Sequence, residues 1–277
     1  YWWFQGLHGE GWRWIERAME FIDEVSDKTR ADVLLAGGYL AYFRQDFERC
    51  AQFRQQASTL YRALDDAYGL AWSQMIPSIR ENKPLEEILT DYQENLAHIR
   101  EIQDLPALEL KLNSLGLVYA DLGRYSEAED YYAQSYAVAL EINDMRHQTT
   151  VNGNRGELAL RRGDYEMARQ LLLESLRFEL EINFAFSLHH MLWTTTVLFY
   201  QLNQLEDALT LLGAATAQEQ RTGQRIYPNL LNYIPQYLEK LKDLYHASPD
   251  YQTAYDRGYQ MSLEDAVQFA IAILDDE

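Results

Sequence analysis

Residues 102–144, IQDLPALELKLNSLGLVYADLGRYSEAEDYYAQSYAVALEIND, decide the fold of this 277-residue chain. The stretch opens on Ile102-Gln103-Asp104 and closes on Ile142-Asn143-Asp144, the same short polar break 40 residues later. In its first half Leu112, Leu115, Val118 and Tyr119 share one helical face. Gly123 then interrupts, and Tyr125, Ala128, Tyr132, Tyr136 and Leu140 follow at steps of 3, 4, 4 and 4. Such steps line one side of a helix. Glycine tolerates the left-handed conformation that closes a helix, so Gly123 marks a turn between two helices. The stretch predicts one unit: helix, turn, helix, loop.

The same unit recurs on both sides. Leu64-Asp65-Asp66 lies 38 residues before Ile102, and Ile182-Asn183 lies 40 after Ile142. Gly123, Gly163 and Asn203 form a second series spaced by 40, each at a turn inside a pair. After the turns come Tyr165, Ala168, Leu172, Leu176 and Leu180 in one unit and Leu205, Ala208 and Leu212 in the next. Leu85, Ile88, Tyr92 and Leu96 begin the same way behind Pro84, whose missing N–H suits a first helical turn. The small residues at the second step allow helices to approach closely. In the first unit Leu34, Gly38 and Ala41 share a face, and Pro77 falls inside a predicted helix of an irregular second unit. One helix pair cannot bury its own apolar side, but stacked neighbours can. The expected fold is all-α, a right-handed superhelix of antiparallel helix pairs with a concave side, and no strand alternation competes with it.

Hydrophobic residues make up 47% of the chain, enough for a large core. No apolar run reaches the length of about 18 residues that marks a membrane span; the longest, Met191 to Leu202, carries three threonines. No signal peptide is visible. The chain opens Tyr1-Trp2-Trp3-Phe4, which reads as a fragment of a longer protein. The net charge of −19 reads either as keeping a long helical surface soluble or as an electrostatic preference for a basic partner; it repels a duplex, so direct nucleic-acid contact is not expected. The single cysteine, Cys50, stands where other units carry Ala and reads as a small core residue. One cysteine excludes an intrachain disulfide and fits a cytoplasmic location.

The repeats resemble a known family. Leu115-Gly116, Tyr119, Gly123-Arg124-Tyr125, Ala128 and Tyr132 resemble the tetratricopeptide signature, as do, less fully, Gly156, Gly163-Asp164-Tyr165 and Ala168. The period is longer than the usual 34 and the closing proline is absent, as in a long-repeat branch. Gly11-Trp12-Arg13-Trp14-Ile15-Glu16-Arg17-Ala18, Leu212-Gly213-Ala214-Ala215, Gly223, Tyr227-Pro228, and Tyr255 with Leu263-Glu264-Asp265-Ala266-Val267 resemble the helical-repeat region of large bacterial signalling regulators. Those proteins combine it with a signal-transduction ATPase and often a LuxR-type DNA-binding domain; the maltose-regulator sensor region is a related design. The resemblance implies a partial N-terminal repeat over 1–28, tetratricopeptide-like repeats of 38–40 residues over 29–223 and a helical capping segment over 224–277.

No catalytic or cofactor motif stands out. A phosphate-binding G-x-x-x-x-G-K-[ST] is absent, and Gly6, Gly9 and Gly11 are embedded in aromatics. His189 and His190 are adjacent, so on a helix they diverge by about 100° and cannot easily share a metal. No nucleophile elbow occurs, and pairs such as Glu86-Glu87 and Asp275-Asp276 read as solvated helix faces. No enzyme, cofactor or metal is expected.

Binding is expected instead. In the resembled family the first helix of each pair lines the concave face. Aligning the units on Gly38, Ile76, Gly116, Gly156 and Thr196 projects that face onto Tyr39 and Tyr42; Ser73, Gln74 and Arg80; Asn113 and Asp121; Asn154, Glu157 and Arg161; and His190, Trp193 and Tyr200. Asn amides read a peptide backbone, Arg forks a carboxylate, and aromatics stack on apolar groups or sugar rings. The expected partner is a protein or peptide, a small polar ligand, or an ATPase domain of the same parent; a homodimer is a further option, and a membrane is not. The alternative is a scaffold or oligomerisation spacer that holds no ligand.

Overall fold

The computed structural model describes residues 8–44, 46–75, 84–182, 185–222 and 233–276, and everything structural below concerns these. Among them the chain is helical throughout, with no strand. The helices are α1 (His8–Met19), α2 (Asp27–Phe43), α3 (Phe47–Ala63), α4 (Ala67–Met75), α5 (Leu85–Ile102), α6 (Leu105–Asp121) and α7 (Tyr125–Glu141), followed by α8 (Met145–Arg161), α9 (Tyr165–Ile182), α10 (Ala185–Gln201), α11 (Leu205–Thr222), α12 (Ile234–Ala247), α13 (Pro249–Tyr259) and α14 (Leu263–Asp275). Ile76, Pro77, Arg80, Asn183, Gly223, Tyr227 and Pro228 lie outside the described residues.

The turns work as the spacing predicts. Gly123, Gly163 and Asn203 have φ of 72°, 77° and 62°. After each, the next N–H reaches back to a carbonyl five residues earlier: Arg124 to Tyr119, Asp164 to Ala159 and Gln204 to Phe199. This is the Schellman closure, which satisfies carbonyls a helix end would otherwise leave bare. The breaks between pairs use the same device. Asp65, Gln103 and Asn143 have φ of 53°, 55° and 57°. The Asp that follows each one caps the next helix: Asp66 accepts from Gly69 N at 2.8 Å, Asp104 from Ala107 N at 3.1 Å and Asp144 from His147 N at 2.9 Å. One left-handed residue followed by one capping carboxylate therefore ends a helix and starts its successor.

The chain divides into two compact units, Tyr1–Val118 and Tyr119–Glu277. In the first, α2 packs on α3 through Ala31, Leu34, Ala57 and Tyr61. Ala71, Met75, Ile99 and Ala107 join α4, α5 and α6 into a second cluster. Cys50 is buried, as its place in the repeat predicts. In the second unit one core runs from α8 to α14. Ala168 and Ala208, the small second-step residues, are fully buried in it. Its tightest crossing is α11 with α13. A Cβ added at Gly213 would run into the Tyr255 carbonyl, and one added at Gly258 into that of Thr210, so the two backbones meet where only glycine fits. Ser262 and Asp265 form a capping box that starts α14.

Candidate partner-binding face

In the second unit, four of the residues projected onto the binding face come together. Asp121 ends α6, Glu157 and Arg161 lie one turn apart near the end of α8, and His190 lies on α10. These are the first helices of three successive pairs, which is why a 40-residue repeat stacks them. Arg161 Nη1 donates to Asp121 Oδ1 at 2.9 Å, and its Nε and Nη2 donate to Glu157 Oε1 at 2.8 and 2.6 Å. The side chains of Arg161 and Glu157 are only 6% and 4% exposed. His190 Nε2 lies 3.4 Å from the other Glu157 oxygen. An ionised carboxylate only accepts, so the proton in that contact belongs to Nε2.

Burial sets the electrostatics. It pushes the Glu157 carboxyl upward, but the charge of Arg161 and the hydrogen bond from His190 outweigh it and hold Glu157 below its ordinary range. Asp121 goes the other way: burial raises it more than its single contact with Arg161 lowers it. Burial opposes the charge of Arg161, and the two carboxylates overcome that and raise its pKa. The hydroxyl of buried Tyr132 is pushed up by burial and then by Glu157.

An aromatic edge made by Tyr233, which caps α12, and Tyr237 within it covers the cluster. The Arg161 guanidinium lies 5.2 Å from the Tyr233 ring centroid. Tyr233 donates its hydroxyl to the Leu160 carbonyl at 3.3 Å. Tyr237 packs edge-on against both Tyr233 and Tyr200, with centroids 5.1 and 5.7 Å away, and accepts from Gln201 Nε2 at 2.9 Å. Tyr200 thus faces the chain's own C-terminal helices. Trp193 and Asn154 are buried as well. Tyr233, Tyr237 and Gln201 were not among the projected residues; the four-residue spacing of the two tyrosines was the signal that could have found them.

The first unit distributes its residues differently. Tyr39 donates to the Trp72 carbonyl at 3.2 Å, and Tyr42 is buried. Ser73 is fully buried, 2.8 Å from the Ser58 hydroxyl. Gln74 Oε1 accepts from Asn95 at 3.0 Å. Its carbonyl accepts from Lys111 Nζ at 3.3 Å, which itself lies 3.9 Å from the Tyr92 ring centroid. Asn113 is buried on α6. Arg80 lies outside the described residues. Lys111 is fully buried, and nothing in the sequence singled it out. Among the described residues no group of three His, Cys, Asp or Glu could hold a metal ion, and no helix is long and apolar enough to cross a membrane.

Comparison with known proteins bears on the fold. A tetratricopeptide repeat family model matches residues 107–181, which run from α6 to α9. Among solved structures the chain is similar to a Rap protein complexed with Competence and Sporulation Factor, at 17% identity and a TM-score of 0.62, over 88% of this chain and 70% of that one. It is similar to the apo form of RapI, at 13% identity and a TM-score of 0.62, over 94% and 90%. It also resembles a signal transduction ATPase with numerous domains and a tetratricopeptide repeat sensor from Pyrococcus horikoshii, at 15% identity and a TM-score of 0.59; there it covers 94% of this chain and 42% of the other. At such identities the likeness establishes a tetratricopeptide-like fold.

Proposed function

We propose that this chain is a non-catalytic sensor and interaction module of a larger bacterial regulator, taking a peptide, a protein or a small polar ligand on the face built by its first helices. The supporting observation is the convergence of Asp121, Glu157, Arg161 and His190 from three successive first helices. Burying four ionisable groups is a costly way to join helices that apolar residues could join as well. Such groups gather more often where a protein binds or switches. The likeness in fold to a Rap protein complexed with Competence and Sporulation Factor, and to a signal transduction ATPase that has a tetratricopeptide repeat sensor, supports the same reading. On this reading a partner reaching Arg161 displaces the Tyr233 edge of α12.

The burial of these groups also favours a second reading, a scaffold without ligand, because Arg161 is already answered by two carboxylates of its own chain. Calorimetric titration with short synthetic peptides and simple sugars separates the two, using the full chain and its Tyr233→Ala variant. Binding that tightens when the aromatic edge is removed is the expected result. Silence from both forms would leave the scaffold.

A further inference from the structure

The ion cluster of the second unit leaves polar atoms unused, and their chemistry points to what can enter it. Arg161 engages one oxygen of Asp121; the other, Oδ2, has no hydrogen-bond partner among the described residues, on a side chain only 10% exposed. The Tyr132 hydroxyl of α7 feels the charges of Glu157, Arg161 and Asp121, yet no described residue bonds it, and Tyr132 is 1% exposed. His190 spends Nε2 on Glu157, which leaves Nδ1 as an acceptor on the neutral ring. We infer that the cluster is a subsite for a primary alkylammonium group, held by Asp121 Oδ2 and the Tyr132 hydroxyl. This rests on the sensor reading above and narrows its ligand to a cation.

Three observations carry this. The first is the inventory of unused atoms. A carboxylate oxygen and a neutral imidazole Nδ1 only accept, and a tyrosine hydroxyl accepts as well as donates. An ammonium brings N–H donors and no acceptor, so it suits all of these atoms. A carboxylate ligand brings acceptors alone and would meet only the hydroxyl.

The second is charge. Two carboxylates of the cluster face one guanidinium. Glu129, which also acts on Tyr132, is answered by Arg155 at 2.6 Å and leaves that surplus unchanged. An entering cation balances the cluster, whereas an anion adds to the excess. The net charge of −19 draws cations toward the chain as a whole. The third is the unequal service of the two carboxylates. Glu157 has both oxygens bonded and is held below its ordinary range. Asp121 is raised, because burial outweighs its single contact with Arg161. A second cation gains most beside the carboxylate that is charged at the greater cost.

The test titrates the 277-residue chain, followed by NMR, with lysine blocked at both ends and with the free diamine cadaverine. Blocked norleucine keeps the stem without the charge, blocked glutamate reverses the charge, and tetramethylammonium keeps the charge without an N–H donor. Both amines are expected to bind saturably, and the tighter one tells whether a protein side chain or a free amine is the source. The comparison ligands should bind about tenfold more weakly or not at all. Asp121→Asn leaves Arg161 its bonds to Glu157 and should weaken the amines by about tenfold. Its folding is checked by circular dichroism. Tyr132→Phe removes only an oxygen that no described residue bonds, so it keeps the fold and should still weaken the amines severalfold. Norleucine or tetramethylammonium binding as well as lysine, amine binding untouched in both variants, or no saturable binding of either amine would overturn the assignment. If the peptides or sugars of the calorimetric titration bind while both amines stay unbound, the sensor reading stands and the ammonium assignment alone falls.

Discussion

Lys111 in the first unit and Arg161 in the second are both buried cations on first helices, and their surroundings answer them in opposite ways. Arg161 meets two carboxylates and a tyrosine face. Lys111 meets a backbone carbonyl and a tyrosine face, with Arg54 nearby. The guanidinium keeps its charge because its fork is filled from two helices. The ammonium can shed its charge, and burial followed by Arg54 pushes its pKa down to about 7 against the pull of Asp91. The contrast shows what the choice of Arg or Lys does inside a repeat stack. Arginine pins neighbouring helices in register through fixed geometry, whereas lysine makes its helix contact dependent on pH.

The sharpest way to break the comparison is to empty the fork. Arg161→Met leaves Asp121 and Glu157 as buried carboxylates without their cation, which costs about 3–5 kcal/mol. Urea unfolding at pH 7 measures it. A triple variant, Asp121→Leu with Glu157→Leu and Arg161→Met, should regain most of that loss, because the penalty lies in the orphaned charges. A single variant costing under about 1 kcal/mol would mean that the cluster is solvated.

Lys111 supplies the next test. Its folded-state pKa, about 7, lies below its ordinary 10.5. Between those values the unfolded chain binds a proton that the folded chain does not. Stability associated with Lys111 is therefore complete above pH 10.5 and is lost as pH falls toward 7. Over pH 7.5 to 9.5 it should rise with pH by about 1.4 kcal/mol per unit, and Lys111→Met should abolish that slope. Parallel unfolding curves for parent and variant across this range would show that Lys111 stays charged when folded.

How much of this was legible in the sequence follows from the same residues. Asp121, Glu157, Arg161 and His190 could be brought together because a constant period fixes which side chains stack. The alternation of turn residues at Gly123, Gly163 and Asn203 gave the helix ends directly. Of the aromatic cover only the four-residue spacing of Tyr233 and Tyr237 was legible; Tyr233 caps α12 and Tyr237 lies within it, outside the period, and no repeat rule says where α12 packs. Lys111 was hidden for another reason. Its neighbours Gln74 and Tyr92 come from α4 and α5. A lone lysine in a helix looks solvent-facing until those two helices are in place.

The smallest effect belongs to the turns, where the two series differ in residue and agree in conformation. Gly123 and Gly163 adopt a left-handed φ freely, and Asn143 and Asn203 tolerate it, but Gln103 adopts φ of 55° with a full side chain. That conformation costs a residue other than Gly or Asn about 1–2 kcal/mol. Glycine there would remove the strain but loosen the unfolded chain, which takes back about 0.4–1 kcal/mol. Gln103→Gly should therefore stabilise the chain by about 0.5 kcal/mol, seen as a small upward shift in thermal midpoint. The converse change, Gly123→Ala, installs the same strain at φ 72° without any nearby clash, so its cost isolates the backbone term. If Gln103→Gly instead destabilised the chain, the glutamine side chain would be holding the α5–α6 junction through contacts of its own. The shared geometry of the two turn series would then rest on different forces.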